Sequence, residues 1–313
     1  MRVFCTMPLP DERQAAIRAI DPRLELAVAA ERGDEAGAQG AEVIYGFLTP
    51  GMFARAGDSL KWVQVGAAGV ERSLFPEIIA SDVVMTNISG AASAPLADHA
   101  FALLLAITRK LPEAFTAQQR REWQFLPAME LEGAAMGIIG MGNVGRQVAQ
   151  RAPGFGMRVL GADLFPPETP PPGVERVVHI DDLHDMLRET DVLVMCAPHT
   201  PLTEHLLGAA ELAALKEGAI FVNVSRGKTV DEPALIAALR AGKPSAAGLD
   251  VFEEEPLPDA SPLWEMPNVI VTAHYATMSQ GFRTRAFAMF LDNLRRYTRG
   301  EALFNVVDKQ AGF

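Results

Sequence analysis

Ile138-Ile139-Gly140-Met141-Gly142-Asn143-Val144-Gly145 decides how this chain is read. It sets three glycines in the spacing G-x-G-x-x-G behind a short apolar run, Met136 to Ile139. Beyond it, Val144, Val148 and Ala149 fall at helical spacing. A second apolar run, Met157 to Ala162, ends on Asp163, eighteen residues after Gly145. Strand, glycine turn, helix, strand and acidic residue is the order that a βαβ dinucleotide site requires. Gly140 permits the tight turn, Gly142 lets the backbone approach a pyrophosphate, and Gly145 lets the helix lie close to the strand. The helix N-terminus then offers N–H groups and the positive end of its dipole to the phosphates. Asn143 and Val144 lie inside the turn and join the glycines as candidate cofactor-binding residues. Asp163 can accept hydrogen bonds from ribose hydroxyls and repels a 2′-phosphate. No Arg or Lys follows it until Arg176, so NAD is the expected cofactor, NADH in preference to NADPH.

The chain has 313 residues, enough for two domains, with 49% hydrophobic and 21% charged residues. A formal charge of −11 argues against nucleic acid or an anionic membrane as a partner. It leaves room for a small anionic substrate, because one arginine can dominate a pocket. The two cysteines, Cys5 and Cys196, end apolar runs and form no C-x-x-C, the pattern of buried thiols in a reducing compartment. No metal-ligand spacing is present. The N-terminus lacks the pattern of a signal peptide, and the longest apolar helical run, Phe101 to Ile107, is far short of a membrane span. A cytoplasmic location is expected by default.

Alternating apolar runs and helix-like stretches run through the first 90 residues. Strands are expected at 2–5, 24–28, 43–45, 62–65 and 83–85, with a helix over 11–20. Residues 95–109 form a mostly apolar helix, of the kind buried in a large core or at a subunit interface; the interface is favoured, and with it a homodimer. Further strands are expected at 136–139, 158–162, 177–178, 192–196, 219–224, 246–249 and 269–271, with helices at 181–187 and 233–239. Five prolines in eight residues, Pro166 to Gly173, make a stiff loop. A long helix follows over 279–297, and Leu303 to Val307 returns toward the first domain. The fold class is α/β: two parallel-sheet domains, Rossmann-like and flavodoxin-like, with a cleft between them. Residues 1–100 with 279–313 form one, and 101–278 the nucleotide-binding other.

Three polar clusters directly follow strands of the second domain, where open parallel sheets bind ligands. They are Val224-Ser225-Arg226-Gly227, Asp250-Val251-Phe252-Glu253-Glu254-Glu255-Pro256, and Thr272-Ala273-His274-Tyr275. A guanidinium can hold a carboxylate through two bonds and polarise an adjacent carbonyl. A histidine carries a proton near neutral pH, and a carboxylate beside it stabilises the imidazolium and fixes its tautomer. Hydride from a nicotinamide would complete the reduction of a 2-oxo acid. Composition alone does not choose among Glu253, Glu254 and Glu255.

With these motifs on the page, the chain resembles the D-isomer-specific 2-hydroxyacid dehydrogenases. The resemblance rests on Gln64-Val65-Gly66-Ala67-Ala68-Gly69-Val70-Glu71, Gly140 to Gly145, Asn223 to Gly227, Val230-Asp231-Glu232, Gly248 to Phe252, Glu255-Pro256 and His274. It implies Arg226, Glu255 and His274 as the catalytic set, leaving Glu253 and Glu254 as solvated loop charges. It implies backbone N–H groups of Ala67, Ala68 and Gly69, with Arg226, as holders of a substrate carboxylate. Pro198, Thr200, Ser225 and Asp250 join the cofactor-binding residues, and His199 follows the same strand as Pro198. His99 is expected to be buried in the long helix, without a catalytic setting. Trp123 and Trp264 are assigned to packing or a pocket wall, and Met52, Phe53, Trp123 and Tyr275 to the side-chain pocket. The chain departs from the pattern at Asp98, Ala273 and Tyr275, the last two beside the proton carrier. The implied reaction interconverts a small 2-oxo acid, glyoxylate- or hydroxypyruvate-like or larger, with its D-2-hydroxy acid. Alternatives are oxidation of another small anion such as phosphite, or a non-catalytic NAD-sensing protein.

Overall fold

The computed structural model describes residues 1–312, which divide into two compact units, 1–92 with 279–313 and 93–278. In the first unit the chain runs β1 (Arg2–Cys5), α1 (Asp11–Arg18), β2 (Glu25–Val28), β3 (Val43–Gly46), α2 (Pro50–Ala56), β4 (Trp62–Val65), α3 (Pro76–Ala80) and β5 (Val84–Thr86). The second unit continues with α4 (Ser93–Thr108), α5 (Leu111–Arg120), β6 (Ala135–Ile139), α6 (Asn143–Arg151), β7 (Arg158–Asp163), β8 (Arg176–His179), α7 (Leu183–Leu187), β9 (Val192–Met195), α8 (Ala209–Ala214), β10 (Ile220–Asn223), α9 (Glu232–Arg240), β11 (Ala246–Leu249) and β12 (Val269–Val271). Helix α10 (Phe282–Thr298) returns to the first unit.

The first unit holds a parallel sheet ordered β2-β1-β3-β4-β5. Its side chains alternate between two cores, as a period of two demands. Val3, Cys5, Val43, Tyr45 and Trp62 meet Phe287, Phe290 and Leu294 of α10. Phe4, Ile44, Val63, Val65 and Met85 face the other way, toward Met52, Ala56 and Ile78 of α2 and α3. Phe290 stacks on Tyr45 with ring centroids 3.9 Å apart. Each such fully buried large side chain contributes about 1.5–3 kcal/mol. The C-terminal stretch does return to the sheet: Val307 N–H donates to Met85 O at 2.8 Å.

The second unit is a seven-stranded parallel sheet ordered β12-β11-β10-β9-β6-β7-β8. Strands β6, β9 and β10 are buried along their whole length, which is why they read as unbroken apolar runs. The strand order reverses between β6 and β9, placing a ligand crevice at their carboxyl ends. Helix α4 takes the core alternative of the two that an all-round apolar helix allows. It clusters wholly with this unit and packs on α6, β10 and β11, burying Ala97, Ala100, Phe101, Leu103, Leu104 and Ile107. A Cβ on Gly248 of β11 would lie 2.8 Å from Leu103 Cβ, so the helix rests directly on the sheet. Its apolar faces are therefore consumed by the unit's own core, and no subunit interface is needed to explain them.

Candidate active site

The glycine turn follows β6. Gly140 has φ +90°, and a Cβ there would sit 2.5 Å from Ala197 N. On Gly145 a Cβ would sit 2.0 Å from Gly140 O. Both glycines are required by the chain's own packing. Gly142 differs: a Cβ there would meet no atom within 4 Å. Space above its backbone is what a pyrophosphate needs, and Gly142, as the N-cap of α6, brings no side chain into it. Asp163 ends β7 beside this turn. Its Oδ2 accepts from Met141 N–H at 2.6 Å and its Oδ1 from Phe165 N–H at 2.9 Å. The residues present fit a dinucleotide.

After β9, Thr203 Oγ1 donates to Pro198 O at 2.6 Å and accepts from Thr200 N–H at 2.8 Å, closing a compact turn at the crevice. His199 lies in that turn with its Nε2 4.0 Å from Glu204. Burial pushes the Cys196 thiol at the head of this loop up to about 12, which keeps it protonated and inert near neutral pH.

The loop after β10 carries Arg226. Ser225 N–H and Oγ both donate to Asn223 Oδ1, at 3.0 and 2.9 Å. The Arg226 carbonyl accepts from Asn223 Nδ2 at 3.1 Å and Thr229 Oγ1 at 2.7 Å, and its Nη1 donates to Ser225 O at 2.8 Å. The residue is thus held at both ends.

His274, after β12, stands in the left-handed region at φ +48°, unusual for any residue but glycine. The buried Asp250 carboxylate builds that turn. It accepts from Thr272 Oγ1 at 2.6 Å, Tyr275 N–H at 3.2 Å and Ala276 N–H at 3.1 Å, while Asp250 O accepts His274 N–H at 2.8 Å. His274 Nδ1 meets Glu255 Oε2 at 2.7 Å, and Glu255 Oε1 accepts Phe252 N–H at 3.1 Å. A carboxylate at Nδ1 places the proton there and leaves Nε2, which takes no partner among the described residues, open to accept or donate a hydrogen bond. Arg226, Glu255 and His274 therefore follow β10, β11 and β12, neighbours in the sheet, on its carboxyl edge.

In the first unit, Ala67 O accepts from Ile88 N–H at 3.3 Å and Ala68 O from Asn87 Nδ2 at 2.9 Å. The Ala67 and Ala68 carbonyls of the Ala67-Ala68-Gly69 turn are tied back, while the N–H groups of Ala67, Ala68 and Gly69 take no partner among the described residues.

Several expectations are corrected. Trp123 is 99% exposed, so it packs against nothing in its unit. Trp264 is half exposed and donates its Nε1–H to Pro258 O at 3.1 Å. Met52 belongs to the core of the first unit, and Phe53 packs edge-on against Phe75. His99 does have a setting at the site. Its Nε2 lies 3.0 Å from Thr272 Oγ1 and 3.5 Å from Asp250, and its ring meets Tyr275 edge-on. Sequence reasoning missed it because a helix residue 173 positions from Thr272 carries no local sign of that pairing. Glu253 is also no freely solvated charge: it pairs with His205 at 2.8 Å.

Comparisons with known proteins agree with this architecture. The family described as "D-isomer specific 2-hydroxyacid dehydrogenase, NAD binding domain" matches residues 101–276. A glyoxylate reductase of Korarchaeum cryptofilum is 38% identical over 263 residues, covering 82% of this chain and 78% of the relative. A D-3-phosphoglycerate dehydrogenase of Methanocaldococcus jannaschii is 35% identical over 255 residues, 80% of this chain but 48% of that longer protein. Among solved structures, a D-isomer specific 2-hydroxyacid dehydrogenase from Xanthobacter autotrophicus Py2, in complex with NADPH and MES, superposes with a TM-score of 0.83 at 32% identity, covering 100% of this chain and 99% of that one. Sheet order, glycine turn and sequence kinship together make this chain a member of the D-isomer specific 2-hydroxyacid dehydrogenase family, with an NAD-binding domain in its second unit.

Proposed function

We propose that this protein interconverts a small 2-oxo acid, of glyoxylate or hydroxypyruvate size or larger, with its D-2-hydroxy acid, using NADH in preference to NADPH. The observation that carries the reading is the 2.7 Å contact of His274 Nδ1 with Glu255, which leaves Nε2 open on the same sheet edge as Arg226. The bound nicotinamide supplies or takes the hydride. Arg226 grips the substrate carboxylate and polarises the carbonyl, and the N–H groups of Ala67, Ala68 and Gly69 hold the same carboxylate. His274 Nε2 gives its proton to the carbonyl oxygen in reduction and takes it back in oxidation, and Glu255 stabilises the imidazolium. Gly140, Gly142, Asn143, Val144, Gly145, Asp163, Pro198, Thr200, Ser225 and Asp250 surround the cofactor.

The Xanthobacter relative is in complex with NADPH, so kinship alone does not choose the cofactor. Asp163 favours NADH, because its carboxylate stands where a 2′-phosphate would be repelled. A homodimer is part of the same reading. It now rests on Phe115, Trp123 and Phe125, which are 61%, 99% and 96% exposed, rather than on α4.

The test is consumption of NADH with glyoxylate, hydroxypyruvate, pyruvate and phenylpyruvate, for the parent chain and for Arg226→Ala. Turnover by the parent on at least one acid is expected, with kcat/KM in Arg226→Ala lower by about a hundredfold or more and NADH affinity kept. Full turnover by Arg226→Ala would sink the assignment.

A further inference from the structure

Outside the groups assigned to catalysis, one polar cluster joins the two loops that carry Arg226 and Glu255. Asp231 caps α9, its carboxylate accepting from Ala234 N–H at 2.9 Å. The next residue, Glu232, exchanges hydrogen bonds with Glu253. Glu232 N–H donates to Glu253 Oε1 at 3.1 Å, and Glu253 N–H donates to Glu232 Oε2 at 3.1 Å. His205 Nε2 meets the same Glu253 Oε1 at 2.8 Å. His205 has φ +50°, and its own N–H donates to Lys228 O at 2.8 Å, on the Arg226 loop.

Two carboxylates drawn this close are costly unless something needs them there. Burial raises the Glu232 carboxyl above its ordinary range, and the charges of Glu253 and Glu254 add to that, while the Glu253 N–H works against it. A left-handed histidine adds strain. Between the loops lies Gly227, where a Cβ would fall 1.8 Å from Phe252 C and 2.4 Å from Glu253 N. The Phe252–Glu253 peptide is therefore pressed on one side by the Arg226 loop and pulled from the other by Glu232. That peptide matters because Phe252 N–H is the donor that holds Glu255 Oε1.

We propose that the reciprocal Glu232–Glu253 clasp, braced by His205, fixes the Phe252–Glu253 peptide and through it aims Glu255 at His274, which makes Glu232 and Glu253 positioning residues. The proposal rests on the catalytic roles given above to Glu255 and His274. Glu232→Leu removes the acceptor for Glu253 N–H, whereas Glu232→Gln keeps a carbonyl oxygen there and loses only the charge.

Three measurements test it together. In NADH-dependent reduction, Glu232→Leu is expected to lower kcat about tenfold or more, with NADH affinity and KM within about twofold, because the error is one of aim. Glu232→Gln is expected to restore most of the rate. Combined with Glu255→Gln, Glu232→Leu should cost less than about twofold further, since its effect passes through Glu255. An undiminished loss in that background, or failure of Glu232→Gln to restore the rate, would assign Glu232 to general stability and overturn the proposal.

The downfield proton resonance of His274 Nδ1–H, identified by its absence in His274→Gln, needs no turnover. It should broaden or vanish in Glu232→Leu and persist in Glu232→Gln. A parent chain that binds NADH but reduces no acid would refute the proposed function while this resonance still decides the clasp. A resonance unchanged in Glu232→Leu would overturn the clasp whatever the activity.

Discussion

Asp163 is held in place before any cofactor arrives, by Met141 N–H and Phe165 N–H. Its carboxylate is therefore a fixed negative charge at the end of β7, and discrimination against a 2′-phosphate should be lost with it. Asp163→Ser is expected to raise the NADPH-to-NADH ratio of kcat/KM by about tenfold or more. Steady-state kinetics with both cofactors measures this, and an unchanged ratio would place the adenosine ribose elsewhere. The residue scale also marks where the sequence stops speaking. Gly140, Gly142, Gly145 and Asp163 form a local signature within 24 residues, and Arg226, Glu255 and His274 each stand just past an apolar run. Strand ends made Arg226 and His274 legible, whereas Glu255 was picked out of its acidic loop only by the resemblance. The pairings of His99 with Thr272 and Asp250, and of Glu232 with Glu253 and His205, were not legible, since they join segments far apart along the chain. Glu253 looked like one more charge in an acidic loop until its partner on α9 was placed beside it.

Among the elements, two glycines separate packing from binding. At Gly227 a Cβ would overlap the backbone of Phe252, so Gly227→Ala is expected to cost about 2–4 kcal/mol of stability in urea unfolding and most of the turnover. At Gly142 a Cβ meets open space, so Gly142→Ala should change stability by less than about 1 kcal/mol. The same change should weaken NADH binding by more than about tenfold, read by fluorescence titration, if the pyrophosphate lies on that backbone. Equal NADH affinity in Gly142→Ala would argue against the site. Fully buried strands were easy to read because both faces are apolar. Short helices were read unevenly: α1, α7 and α9 were expected, but α5 and α8 were not. In α8 only Leu212 is buried, and in α5 only Ala117, so neither carries an apolar stripe wide enough to stand out. Lys110 and Arg121, both at φ +58°, bound α5; Pro112 in its first turn marks the start, but no glycine stands at Arg121 to mark the end.

For the whole molecule, acid should act through its carboxylates. Hydrogen bonds from Arg23 hold Asp21 down at about 2, those from Arg158 and Arg176 lower Glu175 and Glu189, and backbone N–H groups lower Asp308. A carboxyl depressed in the folded state contributes stability above its unfolded value, about 4, and loses it as pH falls through the folded one. Glu232, raised on folding, runs the other way: its contribution is complete below its unfolded value and lost as pH rises through the folded one. The melting temperature is therefore expected to fall steadily from about pH 4 to pH 2, less steeply at high salt because the depressed groups are exposed. A flat profile over that range would remove these pairs from the stability account. The order of the units along the chain has a further consequence. All strands of the second unit precede residue 279, whereas α10, which covers Tyr45 and Trp62, follows it. During synthesis on a ribosome the inserted unit can close its core first, while its host must wait, with one face of its sheet covered only in part by α1, for α10 to emerge. Protease digestion of a released chain ending at residue 278 should accordingly spare 93–278 and cut within 1–92; equal resistance of both would show that the first unit folds without its final helix.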